Sequence, residues 1–247
     1  MQVEFNKSAF LWGRRAATDL AAVQRAATPA TVVRFVPPER ETLADLIGRH
    51  EKFLTDYDNA AYAGRYRALV DRVAQLDPQL GGNGRLTKAV AGGYFKLLAT
   101  KNEWEVARLY SSPAFSQQLA ATFEGDYSLR FHLGAWPFGQ TDKLTGKVRK
   151  AELGPWVMTA FKLMHALRGL RGSWLDPFRH SAERQLDARL LAEYEQDIDA
   201  MLEAPHARAL ETLIRLAALP QKIRGYGHVR ETSAAAAAQE RAALLAT

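Results

Sequence analysis

The sequence predicts a mainly α-helical protein, a multi-helix array with one small β-hairpin element. Alanine and leucine dominate the chain, and its apolar residues recur mostly three or four positions apart, as they do on one face of a helix. One segment departs from this spacing, because Tyr127, Leu129, Phe131 and Leu133 alternate with polar residues at the period of a half-buried strand. We therefore expect a hairpin near residues 126–153 within an otherwise helical chain.

The composition indicates a folded domain and excludes several kinds of site. The chain has 247 residues, 47% of them hydrophobic, which is enough to bury a core. It has no cysteine, so disulfides, thiolate zinc sites, cysteine-ligated iron–sulfur clusters and catalytic thiols are excluded. The apolar stretches are shorter than the roughly 18 residues of a membrane span. With no signal-peptide pattern at the start, we expect a cytoplasmic protein.

The chain divides into an N-terminal helical arm (1–27), a proline-containing linker (28–38) and a main helical domain (39–247). Within the main domain, apolar stripes and stop signals predict a series of helices. The first four cover about 40–56, 62–76, 86–99 and 113–123, with residues 104–110 continuing or restarting the third. After the hairpin, whose turn we place at 141–143 and second strand at 146–153, we expect helices at 155–167, 181–203 and 205–219. The segment 169–178 is predicted to be a loop, 220–230 to be irregular, and an alanine-rich helix closes the chain.

The positive charge of the chain is concentrated in one segment. The whole sequence carries 33 Lys and Arg against 27 Asp and Glu, a net charge of +6. Residues 143–171 alone contain seven basic residues and one acid, which accounts for that excess. Such a segment fits an acidic protein partner or a phosphate-bearing ligand, or it is a solvated hairpin whose charges prevent edge aggregation. Nucleic acid is disfavoured, because no recognition module or aromatic platform accompanies the charge. The basic residues are Lys143, Lys147, Arg149, Lys150, Lys162, Arg168 and Arg171.

Familiar catalytic motifs are missing from the sequence, and no catalytic residue can be assigned. There is no G-x-x-x-x-G-K-[ST] loop, no G-x-G-x-x-G after a strand, no H-E-x-x-H and no G-x-S-x-G. The histidines are scattered, so we expect no metal site, and His50 lies on an apolar helical stripe where a core role is favoured. The glycine-rich segment 81–84 is read as a helix stop.

Two arginine–glycine runs are candidates for binding an anion or a partner. The run 224–228 places Arg224 and His228 around two glycines, and the run 168–172 places Arg168 and Arg171 in the same way. The structural alternative for both runs is a helix C-cap followed by a tight turn, with the arginine paired to a neighbouring carboxylate.

A series of runs resembles one enzyme family over nearly the whole chain. The runs are NKSAFLWGR (6–14), YAGRYRALV (62–70), FKLLA (95–99), EWEVARLY (103–110), FEGDY (123–127), FHL (131–133), GPW (154–156), LRG (170–172), DPF (176–178) and IRGYGHV (223–229). In this order they resemble the C-terminal helical domain of the large, fused bacterial indolepyruvate ferredoxin oxidoreductases. The three residues after DPF, Arg179, His180 and Ser181, depart from that pattern.

The resemblance implies an assembly that converts an aryl 2-oxo acid, coenzyme A and oxidised ferredoxin into an acyl-coenzyme A, carbon dioxide and reduced ferredoxin. Thiamine diphosphate, magnesium and iron–sulfur clusters would lie in partner domains, because this chain has no cysteine and no Gly-Asp-Gly motif for thiamine diphosphate. The chain would correspond to the helical region after the gamma domain, as a separate subunit or as a piece of a longer protein. The basic segment would then dock ferredoxin or contact coenzyme A. The alternative function is a stand-alone helical interaction scaffold without a redox role.

Overall fold

A computed structural model describes residues 2–27, 41–134, 140–141, 148–149 and 151–246, without the side chains of residues 2–4, 140–141 and 148–149. The chain splits into two compact units, Met1–Glu41 and Thr42–Thr247. In the first unit, residues predicted to form the arm fold into α1 (Gln2–Thr18) and α2 (Leu20–Ala27). The Asp19 carboxylate caps α2 by accepting a hydrogen bond from the Ala22 N–H at 2.9 Å. The predicted linker, 28–38, lies outside the described residues.

The second unit confirms the mainly helical fold. Between its helices, residues 77–80, 168–170 and 219–222 form short 3-10 turns. None of the helices in the described ranges is long and apolar enough to cross a membrane. The α-helices of this unit are α3 (Leu43–Tyr57), α4 (Ala60–Leu76), α5 (Arg85–Leu98), α6 (Glu103–Ser111), α7 (Pro113–Thr122), α8 (Val157–Ala166), α9 (Ala182–Glu203), α10 (Leu210–Ala218) and α11 (Gly227–Leu245).

The main core surrounds α5, which packs against α3, α4, α9 and α10. Buried aromatic rings run through it, with Tyr94 stacked on Tyr66 on one side and on Tyr194 on the other, each at a centroid distance of 6.0 Å. His50 is buried, and its Nδ1 lies 2.9 Å from the Tyr66 hydroxyl. The core role predicted for this histidine is confirmed.

A second, smaller core joins α6, α8 and the β element. The rings of Phe131 and Phe161 meet edge to face at 5.6 Å, and Tyr110 stacks on Phe161 at 5.3 Å. This cluster therefore fixes α8 against α6 and attaches the first strand to the helices.

The described residues of the β element form two antiparallel strand pairs, and the first strand begins later than predicted. Strand β1 (Phe131–Leu133) pairs with β4 (Ala151–Leu153), and β2 (Gln140–Thr141) pairs with β3 (Val148–Arg149). The predicted strand over 127–133 is wrong for residues 127–130, because the ladder ends where Phe131 faces Leu153 and the opposite chain turns into α8. The turn predicted at 141–143 is wrong at Thr141, which belongs to β2, while 142–143 lie outside the described residues.

Local capping explains most helix boundaries. Ser112 and Ser181 cap α7 and α9, and Asn102 restarts the chain as α6 rather than letting α5 continue. The predicted stop at 81–84 is confirmed, since Gly81, Asn83 and Gly84 all have positive φ. The helix predicted over 205–219 is wrong at its start, because α10 begins only at Leu210, after a series of turns.

Candidate functional site

The predicted basic residues are only partly covered by the described structure. Lys143, Lys147 and Lys150 lie outside the described residues, and for Arg149 only the backbone, in β3, is described. Arg168 and Arg171 belong to the 3-10 turn that follows α8. The geometry of this turn therefore shows whether Arg168 and Arg171 are available to bind an anion or a partner.

Arg171 is engaged within the protein rather than presented to a ligand. Its guanidinium carbon lies 3.8 Å from the ring centroid of Tyr57, and the guanidinium donates to the hydroxyl of the same tyrosine. The Tyr57 hydroxyl in turn donates to the Thr100 carbonyl and accepts from the Asn102 amide, both at 2.7 Å. The structural alternative predicts a carboxylate partner for Arg171. That prediction is wrong, because the guanidinium contacts the ring and hydroxyl of Tyr57 instead.

Arg168 is exposed and lies beside a histidine. Its Nη1 is 3.2 Å from Nε2 of His165, at the end of α8. Burial, Arg168 and then Arg108 lower the pKa of His165 below its ordinary value of 6.5. The neutral imidazole can accept the hydrogen bond from Arg168, so this end of α8 carries one exposed cation rather than two.

The loop after Arg171 is organised by one buried carboxylate. Asp176 is 3% exposed and accepts hydrogen bonds from the Trp104 indole N–H at 3.2 Å, the Gly172 N–H at 2.8 Å and the Phe178 N–H at 3.0 Å. The Trp104 and Phe178 rings also meet edge to face at 6.1 Å. The segment 172–178 is thereby anchored to the start of α6.

The arginine–glycine run 224–228 does not bring its two candidate side chains together. Arg224 and His228 are both exposed, and neither side chain makes a hydrogen bond or ion pair in the part of the chain that the structure describes. The backbone of Arg224 is held by Ser233, whose hydroxyl accepts from its N–H and donates to its carbonyl at 3.0 Å. The glycines at 225 and 227 have positive φ and shape the tight turn that begins α11. Of the structural alternative, the tight turn is present, but the run leads into α11 instead of ending a helix, and Arg224 has no carboxylate partner among the described residues.

Tyr226, at the centre of that run, lines a polar cleft between the starts of α6 and α9. The cleft encloses about 400 Å³, including space open to solvent. The Lys101 ammonium lies 5.3 Å from the centroid of the Tyr226 ring, at the edge of the cleft. The lining residues are almost all polar: Thr100, Lys101, Asn102, Glu103, Ser181, Glu183, Arg184, Asp187, Tyr226 and Arg230.

Arg184 is the unusual residue of the cleft. Its side chain is 16% exposed, and its Nε and Nη2 are buried without a hydrogen-bond acceptor. The nearest carboxylate oxygen is Oδ2 of Asp176, which lies 3.9 Å from Nη2, beyond hydrogen-bond distance. Arg184 also lies in the first turn of α9, where the helix dipole disfavours a cation. This guanidinium thus has unused donors in a place where leaving them unused is costly.

Other charges of the cleft are paired inside the protein. Asp187 accepts from Nε and Nη2 of Arg230 at 2.8 and 2.6 Å, and Glu183 accepts from the Gly227 N–H at 3.0 Å. These contacts tie α9 to the start of α11. They leave Lys101, Glu103 and Arg184 as the charged lining residues whose side chains make no hydrogen bond to protein among the described residues.

Sequence reasoning singled out neither Arg184 nor Asp176 as a site residue. The one available signal was the run at 176–178, which was noted for its family resemblance and not for its carboxylate. Within the described ranges, no cluster of three or more metal-ligating side chains occurs.

The fold and the site define a mainly α-helical domain with a polar cleft where α6, α9 and the turn before α11 meet. The chain belongs to a family described as "Family of unknown function (DUF6537)", which matches residues 43–243, the greater part of the second unit. No curated protein and no solved structure matches the chain.

Proposed function

We propose that this chain is an accessory domain of an indolepyruvate, or aryl 2-oxoacid, ferredoxin oxidoreductase. Its role would be assembly or docking, while oxidative decarboxylation to acyl-coenzyme A and reduction of ferredoxin occur in partner domains. Those domains would carry thiamine diphosphate, magnesium and the iron–sulfur clusters. This chain has no cysteine to ligate such a cluster. We place the assembly in the cytoplasm.

The resemblance behind this proposal rests on the sequence runs, and two of those runs meet in the fold. Trp104 comes from the run at 103–110, and Asp176 and Phe178 come from the run at 176–178. The Trp104 indole donates to Asp176, and its ring meets that of Phe178 edge to face.

The observation that carries the docking role is an exposed apolar stripe on α8. Val157 and Phe161 bury one side of this helix in the second core. Ala160, Leu163 and Leu167 recur at i, i+3 and i+7 on another side, where Leu163 is 60% and Leu167 is 45% exposed. A short loop then presents Trp174, which is 80% exposed. An exposed apolar stripe on a helix is typical of a protein interaction site.

The charge of the same segment indicates an acidic partner. Residues 143–171 carry the whole net charge of +6, so a second copy packed on α8 would bring two like-charged segments together. An acidic protein is instead attracted to it, and ferredoxin is the candidate that the family resemblance supplies. The phosphates of coenzyme A are the other ligand that this charge fits.

Capture of the tagged chain from its own cells tests the proposal. Mass spectrometry of the eluate, with thiamine and iron assays, is expected to recover thiamine-diphosphate and iron–sulfur subunits in a fixed ratio. A colourless monomer would contradict the proposal and favour the stand-alone scaffold.

Charge reversal tests whether partner binding depends on the basic segment itself or only on the net charge of the chain. Replacing Lys147, Arg149 and Lys150 together by glutamate is expected to weaken partner recovery and to flatten its dependence on salt. The matched control replaces three exposed lysines of α3 and α5 by glutamate, namely Lys52, Lys88 and Lys96. It is expected to leave partner recovery unchanged. Equal recovery with both triple variants would show that the basic segment does not dock the partner.

A further inference from the structure

The geometry points to a binding site for a small carboxylate in the cleft between α6, α9 and the turn before α11, with the Nε–H and Nη2–H groups of Arg184 as its donors. This inference goes beyond the proposed docking role, because it concerns a different surface and a small ligand. It rests on the unused donors of Arg184, on the charges that line the cleft and on the position of Lys101 and Tyr226 in its lining.

The two unused nitrogens of Arg184 form one edge of the guanidinium. Nε–H and Nη2–H point in the same direction, at the spacing of the two oxygens of a carboxylate, and such bidentate pairs are among the strongest hydrogen bonds in proteins. Both nitrogens are buried, so without an acceptor the protein bears the cost of their desolvation. Asp176 does not remove this cost, because its nearest oxygen, Oδ2, lies 3.9 Å from Nη2, beyond hydrogen-bond distance.

The charge of the cleft favours a carboxylate over a phosphate. Its lining contains three cations, Lys101, Arg184 and Arg230, and three carboxylates, Glu103, Glu183 and Asp187, so their formal charges cancel. A phosphate dianion would meet three nearby carboxylates with no net positive field. A monoanion that takes both hydrogen bonds from Arg184 meets a smaller electrostatic cost.

Two further lining residues of the cleft suit such a ligand. Tyr226 is exposed and lies between two glycines of positive φ, and the Lys101 ammonium lies 5.3 Å from the centroid of its ring. Lys101 thus adds a second cation to the lining, without a carboxylate partner among the described residues. The hydrogen bond from Gly227 to Glu183 keeps the turn itself in place.

Titration with acetate, followed by nuclear magnetic resonance of the ¹⁵N-labelled full chain, tests this site. At constant ionic strength, sodium acetate is expected to shift the Arg184 Nε–H and Trp104 indole signals saturably, whereas sodium chloride leaves them in place. Sodium phosphate is expected to bind at least tenfold more weakly. The indole is a sensitive reporter because it donates to Asp176, the residue next to Arg184.

Two variants and one control make the test specific. Arg184→Gln is expected to weaken acetate binding at least tenfold, and Lys101→Gln severalfold. Arg189→Gln, on the exposed side of the same helix beside Glu193, is expected to bind acetate like the unmodified chain. If Arg184→Gln does not fold, Lys101→Gln and the direct Arg184 signal decide the matter.

Three results would overturn the inference. They are shifts with acetate no larger than those with chloride, phosphate binding as tight as acetate binding, and an undiminished indole response in folded Arg184→Gln. None of them bears on partner docking through α8, so the two proposals fail separately.

Discussion

Asp176 shows how one side chain can hold a loop that has little regular structure. It is buried and satisfies two backbone N–H groups and one indole N–H, and it lies next to the Arg184 guanidinium. Replacing it by alanine would leave one buried and two partly buried donors without an acceptor. We expect Asp176→Ala to lower the free energy of unfolding by about 3–5 kcal/mol, because each buried donor left without a partner costs about 1–3 kcal/mol.

Urea unfolding, with an exposed aspartate as the control, measures that effect. Asp199 pairs with Arg72 at 2.8 Å, and both side chains are about half exposed. Asp199→Ala is therefore expected to cost at most about 1 kcal/mol. Similar losses in the two variants would mean that Asp176 does not anchor the loop.

His165 predicts a pH dependence of stability. Burial and two arginines lower its pKa in the folded chain below 6.5, so the unfolded chain binds the proton more readily. The stability that the neutral imidazole allows is present above pH 6.5 and is lost as the pH falls from 6.5 through the folded pKa. His165→Gln should therefore lose less stability than the unmodified chain between pH 7.5 and pH 5.

Urea midpoints across this pH range test the assignment. The exposed His206→Gln variant is the control, and its stability should keep a constant difference from that of the unmodified chain. If His165→Gln loses as much stability between pH 7.5 and pH 5 as the unmodified chain does, groups other than His165 cause the pH dependence.

At the scale of elements, α5 and α10 approach each other closely at Gly93. A Cβ at Gly93 would lie 2.2 Å from the Ala217 carbonyl oxygen and 2.8 Å from the Tyr194 hydroxyl, so only glycine fits without a shift of the helices. Gly93→Ala is expected to destabilise the chain by about 1–3 kcal/mol. Gly64, on α4, has open space at the same position, and Gly64→Ala should stabilise by roughly 0.5–1 kcal/mol. Opposite signs in urea unfolding would support this packing, and equal effects would contradict it.

The elements also show what the sequence can and cannot predict. Helices bounded by local signals, such as Ser112 before Pro113 or Ser181 before α9, are predicted to within a residue or two, because capping depends on neighbours in the chain. The alternation from Tyr127 onward predicts a strand that is absent over residues 127–130. A strand also needs a partner, and β4 pairs with only three residues of β1. Local pattern carries no information on that partner.

The cleft illustrates the same limit for the candidate site. Lys101, Arg184 and Tyr226 come from three segments that are distant in the sequence, and only Tyr226 lies in a run that the sequence analysis singles out. The predicted pair Arg168 and Arg171 was suggested by spacing alone, whereas Tyr57, more than a hundred residues earlier, determines where Arg171 lies. Which donors stay unused depends on tertiary contacts.

At the scale of the whole molecule, the second unit has two surfaces with different characters. The cleft is polar and formally neutral, whereas α8 presents exposed apolar side chains and belongs to the stretch of sequence, 143–171, that carries the net positive charge. The first surface fits a small ligand and the second a protein. This separation allows docking to be tested without disturbing the cleft.

The most direct test of the docking account compares cofactor recovery with and without the α8 stripe. Leu163 and Leu167 are both exposed, so Leu163→Glu with Leu167→Glu should leave the fold intact, which circular dichroism can verify. We would measure thiamine diphosphate and iron per mole of captured chain for the unmodified chain, this double variant and the lysine control. The account predicts the same fixed ratio of thiamine diphosphate and iron to captured chain for the unmodified chain and the control. For the double variant it predicts that most of both cofactors is lost. Absence of both cofactors from the unmodified chain, or their undiminished recovery with the variant, would contradict it.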